Sequence, residues 1–198
     1  MKHAILLSAV PVDAAMKRYC RPGSFVVACD AGYRNSDCLG VRPDLIVGDF
    51  DSAPQPDTDS DTIVLPHVKD DTDTHYAAKW LLDALGGARL EHTIANLSTG
   101  LFLAEHGVDV VLADTASEIH YLVPGKDLTL QRGEWQYLSV FPWDGKLIGV
   151  DIEGAYYPLH GAELVPDYPL GVSNEFVEPT VTLRCQAGHG IVVLTRAD

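Results

Sequence analysis

The stretch "GDFDSAPQPDTDSD", Gly48 to Asp61, packs five aspartates into fourteen residues. The first two, Asp49 and Asp51, directly follow the apolar run Leu45-Ile46-Val47, at the point where a strand leaves a core. At i and i+2 of an extended chain their carboxylates point the same way, about 6.5–7 Å apart. Carboxylates that close repel unless something cationic lies between them. Magnesium takes oxygen ligands and brings substrate phosphates with it, so it fits this pair. Asp57, Asp59 and Asp61 read as solvated loop residues. Two more strand ends carry acids. "FVVACD" ends in Asp30, followed by Ala31-Gly32, and "LPHVKDDTD" supplies Asp70, Asp71 and Asp73 ahead of "THYAAKWLL". Thr72 or Asp73 also suits the N-cap of that segment.

A second group surrounds "LGGARLEHTIAN". From Leu90 the residues Leu90, Ile94, Leu97, Leu101 and Ala104 keep a helical period. Arg89, His92 and Asn96 share another stripe at spacings of three and four. Gly86-Gly87 lets backbone N–H groups approach an anion at a helix start, and Arg89 adds a two-pronged positive donor. A plain turn explains the glycines equally well. No G-x-x-x-x-G-K-[ST] occurs, so this is not a P-loop.

These residues need strands and helices to position them. The runs "AILLSAV", "SFVVACD", "PDLIVGDF", "TIVLP" and "VDVVLAD" read as short buried strands with helical segments between several of them. That alternation predicts an α/β domain with a mainly parallel sheet, covered on both faces, over residues 1–117. In such sheets ligands bind beyond the carboxyl ends of the strands, where Asp30, Asp49 and Asp51 fall. From about Ile119 the texture changes. "DLTLQRG", "YLSVFPW", "GVDIEGAYYPL", "VTLRCQ" and "GIVVLTR" alternate with Gly-rich turns and predict a small all-β domain over 118–198.

The bulk numbers agree. The chain has 198 residues, 46% of them hydrophobic, enough for a real core. Its 28 acids against 14 bases give a formal charge of −14, a field that repels nucleic acid and anionic membranes. A polyanionic substrate is tolerated only where metal ions or a local basic cluster offset that field. Cys20, Cys29, Cys38 and Cys185 form no C-x-x-C and read as reduced thiols of a cytoplasmic protein. The N-terminal apolar run is short and broken by Pro11 and Asp13, so it reads as a first buried strand and not as a signal peptide.

Taken in order, "DAG" with Asn35, "LGVRPDLIVGDFDS", "KDDTD", "GARLEHTIAN", "GAYYPL" and "GVSNEF" resemble the thiamine pyrophosphokinase (thiamine diphosphokinase) family across nearly the whole chain. The resemblance implies an α/β nucleotide-binding domain followed by a β-sandwich, assembled as a homodimer. It implies transfer of a pyrophosphoryl group from ATP to the hydroxyl of thiamine, with AMP as the second product. By this likeness Asp49, Asp51 and Asp73 are the magnesium and catalytic carboxylates, with Asp70 close by. Asp30 and Asn35 belong to the nucleotide side, and Arg89 looks like the phosphate-contacting arginine. Ser173 and Asn174 look like the thiamine-recognition turn. Glu91 stands where the family usually has aspartate, and "LLSAVP" where Asn-Gly is often seen. Trp135, Trp143 and Tyr156 are the candidates for an aromatic partner of thiamine, each of them also suited to a core or turn role. Two other readings share these motifs: a diphosphokinase for another hydroxymethyl heterocycle such as a pterin, and a non-catalytic nucleotide sensor. One spacing departs from the family. Only the fourteen residues Thr74 to Gly87 separate Asp73 from "ARLEH", too few for the helix and strand expected there. The family pattern predicts that a crossover has been lost between Ala77 and Leu82. The alternative is one helix from Asp73 to Leu85.

Overall fold

A computed structural model describes residues 4–50, 53–64 and 90–197. Over these residues it is rich in sheet and poor in helix, and it divides into two compact units, Met1–Thr115 and Ala116–Asp198.

In the first unit, β1 (Ala4–Leu7), β2 (Phe25–Cys29), β3 (Leu45–Gly48) and β4 (Asp61–Val64) form one sheet in that order. Every neighbouring pair is parallel, with Leu7 beside Ala28, Cys29 beside Val47 and Gly48 beside Val64. β1 and β3 are buried at all four positions, as expected for strands covered on both faces. The period-2 alternation sorts their side chains into two cores. Leu6, Val27, Cys29, Leu45 and Val47 share one face. Ile5, Leu7, Met16, Val26, Ala28, Leu39 and Ile46 share the other. All four strand ends lie on the same edge of the sheet.

The helical segments that follow β1 and β2 are mostly 3-10 turns, Ala14–Tyr19 and Asp30–Asn35. The first is bounded by the Asp13 cap, whose carboxylate accepts from Ala15 N–H at 2.7 Å, and by Arg21-Pro22, which disfavours further helix. The second runs into the short α1 (Ser36–Leu39), closed by the left-handed Gly40. Asp44, just before β3, accepts from Val26 N–H through its carboxylate at 2.8 Å while its own N–H donates to Val26 O at 2.8 Å. That exchange aligns β3 on β2. Helix α2 (Leu90–Glu105) and the two-residue β5 (Leu112–Ala113) complete the unit among the described residues. "VDVVLAD" thus yields a shorter strand than its composition predicts.

The second unit is all β. β6 (Ser117–Leu122), which "SEIHYL" did not signal clearly, opens it. β7 (Leu128–Gln131), β8 (Tyr137–Pro142), β9 (Leu147–Glu153), β10 (Leu159–Leu164), β11 (Asn174–Glu175), β12 (Thr180–Arg184) and β13 (Gly190–Thr195) follow. One sheet runs β10-β9-β12-β7 and the other contains β11-β8-β13-β6, with antiparallel pairs throughout. A single core joins residues of both sheets, including Leu122, Leu138, Val140, Leu147, Ile152 and Leu183. All four cysteines are free thiols, as the sequence predicts. Among the described residues no helix is long and apolar enough to cross a membrane.

Candidate functional site

The parallel register places Asp30, the residue after β2, beside Gly48 at the end of β3. A Cβ on Gly48 would lie 2.9 Å from Asp30 Cα, so only glycine lets these strand ends meet. Gly32 is equally constrained, since a Cβ there would fall 2.1 Å from Leu7 O. The "DAG" and "VGD" glycines thereby bring the ends of β1, β2 and β3 together, and Asp30 and Asp49 with them.

The backbone at this edge is strained. Asp30 has φ 47° and Phe50 has φ 55°, both left-handed. A bulky residue in that region costs about 1–3 kcal/mol and persists only where its surroundings hold it. The Phe50 side chain is held by packing on the core that contains Ile5, Leu7 and Met16. This corrects one premise of the sequence reading. The chain between Asp49 and Asp51 is not extended at Phe50, so the spacing of an extended strand does not apply to that pair. Asp49 is half-buried, whereas Asp57, Asp59 and Asp61 are exposed, as their composition predicts.

Asn35 is buried, and its amide is fully engaged. Nδ2 donates to Ser8 O at 2.9 Å and to Val10 O at 2.8 Å, and Oδ1 accepts from Val12 N–H at 3.3 Å. Both amide hydrogens are therefore spent on shaping the loop after β1, and no donor remains for a nucleotide. Asn35 is thus a clasp for the "SAVPV" loop.

On α2 the apolar stripe holds at Leu101 and Ala104, both buried, and departs at Ile94, which is 49% exposed while Asn96 is buried at 5% exposure. The inward side carries the small polar residues Asn96 and Thr99, and the Thr99 hydroxyl donates back to Ala95 O at 3.0 Å. Asp51, Asp70, Asp73 and Arg89 lie outside the described residues, as does the stretch Ala77 to Leu82. Of His92 and Glu91 only the helical backbone is described.

In the β unit, "GVSNEF" forms a bulged edge strand. Val140 N–H donates to Gly171 O at 2.8 Å, and Asn174 pairs with Leu138, so Val172 and Ser173 both lie opposite Ser139. Ser173 has φ 57°, and its N–H donates to Ser139 Oγ at 3.0 Å. The bulge turns Ser173 outward and leaves it exposed. Asn174 points inward and is buried. Its Oδ1 accepts from Tyr157 N–H at 2.9 Å and from Glu175 N–H at 2.9 Å, and its Nδ2 donates to Tyr157 O at 2.8 Å. The amide thus copies a strand rung and ties "GVSNEF" to "GAYYPL". Asn174→Ala leaves three part-buried backbone groups without this partner and should lower stability by about 1–2 kcal/mol, read from urea unfolding.

The aromatic candidates separate cleanly. Trp135 is a core residue of the β unit, with the Arg196 guanidinium 5.4 Å from its ring centroid, so it is withdrawn as a ring partner. Trp143 belongs to a turn: its N–H donates to His189 O at 2.8 Å, and Asp144 accepts from the His189 backbone at 2.8 Å while pairing with Nδ1 at 2.6 Å. The His189 hydrogen bond holds the Asp144 carboxyl below its usual range. Tyr156 is 64% exposed and meets Tyr157 edge-on at 4.9 Å, next to the Asn174 tie. Tyr157 was not singled out by the sequence; a second tyrosine in "GAYYPL" was the available signal.

Comparison with known proteins gives the whole chain a fold and matches part of it to a family model. Over its whole length the chain adopts the fold of thiamine pyrophosphokinase structures. It superposes on thiamine pyrophosphokinase from Bacillus subtilis with a TM-score of 0.87 at 19% identity, over 100% of both chains. The match to thiamin pyrophosphokinase from Geobacillus thermodenitrificans has a TM-score of 0.86 at 22% identity, over 100% of this chain and 99% of the other. The Candida albicans thiamin pyrophosphokinase matches with a TM-score of 0.80 at 15% identity, over 99% and 90%. Residues 127–189 match the family model for the thiamin pyrophosphokinase vitamin B1 binding domain. A comparison with curated protein sequences finds no match.

Proposed function

We propose that the protein is a thiamine diphosphokinase. The observation that carries this reading is the match of residues 127–189 to the vitamin B1 binding domain, on a chain whose whole fold follows thiamine pyrophosphokinases. The parallel-sheet unit is the nucleotide-binding α/β domain, and the all-β unit is a sandwich that takes thiamine. The pterin alternative loses its support, because the segment that would have to read a pterin is the one that matches a vitamin B1 domain.

In the reaction the hydroxyethyl oxygen of thiamine attacks the β-phosphorus of ATP. The new O–P bond forms as the bond between the β-phosphorus and the α,β-bridging oxygen breaks. AMP leaves with that oxygen, and the alcohol proton passes to a carboxylate. Such a transfer needs positioning and charge neutralisation more than covalent help. The donors at the strand ends, Asp30 and Asp49, offer oxygen only, which suits a hard divalent cation. Magnesium bound by Asp49, Asp51 and Asp73 would neutralise the polyphosphate. Asp30, Asp70, Arg89, His92 and Asn96 belong to the nucleotide side, Asn35 through the loop it shapes. Asp51 or Asp73 takes the proton. Ser173 reads the polar edge of thiamine, with Tyr156 as an exposed aromatic on the adjoining "GAYYPL" segment and Asn174 holding the turn. The working form is a cytoplasmic homodimer in which a second copy completes the thiamine site.

Incubation with ATP, magnesium and thiamine tests the reading. AMP and thiamine diphosphate should form in equal amounts; ADP, or no turnover, would overturn it. Ser173→Ala should raise the KM for thiamine by about five- to a hundredfold and leave that for ATP unchanged, since a lost polar contact costs about 1–3 kcal/mol. Ser173→Gly, which suits φ 57° better, should show the same rise. Equal effects on both substrates would remove thiamine from this turn.

A further inference from the structure

The loop that carries Asp49 is gripped at three places. Gly48 is pressed against Asp30 Cα. Phe50, left-handed at φ 55°, packs on the core that contains Ile5, Leu7 and Met16. Beyond them, the Tyr33 hydroxyl donates to Pro54 O at 2.9 Å. Ala53, next to that carbonyl, is buried at 4% exposure. Tyr33 comes from the turn that begins at Asp30, and its ring packs on the same core as Phe50. One turn therefore presents Asp30 and also holds the far end of the loop that presents Asp49.

We infer that Tyr33 is a positioning residue: its hydroxyl fixes the loop after β3 so that the Asp49 carboxylate is preformed for a divalent cation and its phosphates. The inference rests on the diphosphokinase reading. The strain at Phe50 makes the tie consequential. Release of Pro54 O gives a strained loop freedom to relax, and that order must then be restored each time a ligand binds. The Tyr33 ring itself stays in place without its oxygen, so the hydroxyl can be removed without touching the core.

Tyr33→Phe tests this directly, with Mn2+ as the probe. Binding of Mn2+ is followed by electron paramagnetic resonance, in the presence of an α,β-methylene analogue of ATP that cannot be cleaved at the reacting bond. The dissociation constant should rise about two- to tenfold, the loss expected for one hydrogen bond. The magnesium concentration for half-maximal AMP formation should rise by a similar factor, with the KM for thiamine unchanged and the melting temperature nearly so. A purely structural role would lower the melting temperature and leave Mn2+ affinity where it was. Tyr33→Phe that binds Mn2+ as tightly as the wild type overturns the inference, and so does a wild type that binds none. Absence of AMP formation by the wild type would instead remove the diphosphokinase reading, while the Mn2+ titration would still decide the role of Tyr33.

Discussion

Asp49→Asn should reduce AMP formation by at least about a hundredfold at saturating magnesium, with the fold intact. The scale is that of removing one preorganised electrostatic group from a site where charge develops in the transition state. Asparagine keeps the shape of the side chain and one acceptor oxygen but loses the charge that a cation and a polyphosphate require. The residue lies just past β3, half-buried, next to Gly48, whose lack of a side chain permits the close approach to Asp30. The substitution is isosteric, so circular dichroism should be that of the wild type. Near-normal turnover would exclude Asp49 as a metal ligand. The same assay on Asp51→Asn, outside the described residues, should give a comparable loss.

Gly48→Ala should be the more damaging change to the protein as a whole. The added Cβ would lie 2.9 Å from Asp30 Cα and 3.2 Å from Asp30 N, which are backbone atoms of the neighbouring strand end. No flexible side chain is there to yield, so β2 and β3 must separate or twist. Overpacking of this kind costs about 1–3 kcal/mol, and here the displaced residue already has a left-handed backbone. The expected result is a clear drop in the urea midpoint together with a rise in the KM for ATP. Thiamine affinity should be spared, because the substitution lies in the first unit. A variant with wild-type stability would show that the two strand ends are less tightly matched than their register implies.

The sheet of the first unit was legible because buried parallel strands leave a simple trace: Val, Ile and Leu in runs bounded by Asp, Gly and Pro. The strand-end aspartates were legible for the same reason. The left-handed conformations at Asp30, Phe50 and Ser173 were not, since nothing in an aspartate, a phenylalanine or a serine announces positive φ. Asn35 and Asn174 illustrate a second limit. A polar amide next to glycines in a loop reads as a ligand contact, yet both amides are buried and bonded to backbone. Only the position of the neighbouring chain, which is long-range in sequence, distinguishes a clasp from a contact. The α2 stripe was legible at Leu101 and Ala104, which are buried, but not at Ile94. Isoleucine outranks asparagine in any apolar pattern, but Asn96 faces inward and Ile94 outward. The shortened spacing between Asp73 and "ARLEH" falls on residues outside the description.

The lacing of "GAYYPL" to "GVSNEF" has a practical side for anyone redesigning substrate choice. Tyr156 N–H donates to Glu175 O at 2.9 Å, Val177 N–H to Gly154 O at 3.0 Å, and the Asn174 amide spans both segments. Grafting a foreign recognition loop in place of either segment alone would sever rungs contributed by the other. A transplant should therefore carry residues 154–158 and 171–177 as a matched cassette. A library that randomises only the serine turn will sample mostly misfolded edges, and one that varies the exposed tips of Tyr156, Tyr157 and Ser173 while holding Asn174 constant keeps the frame on which new ligands are selected.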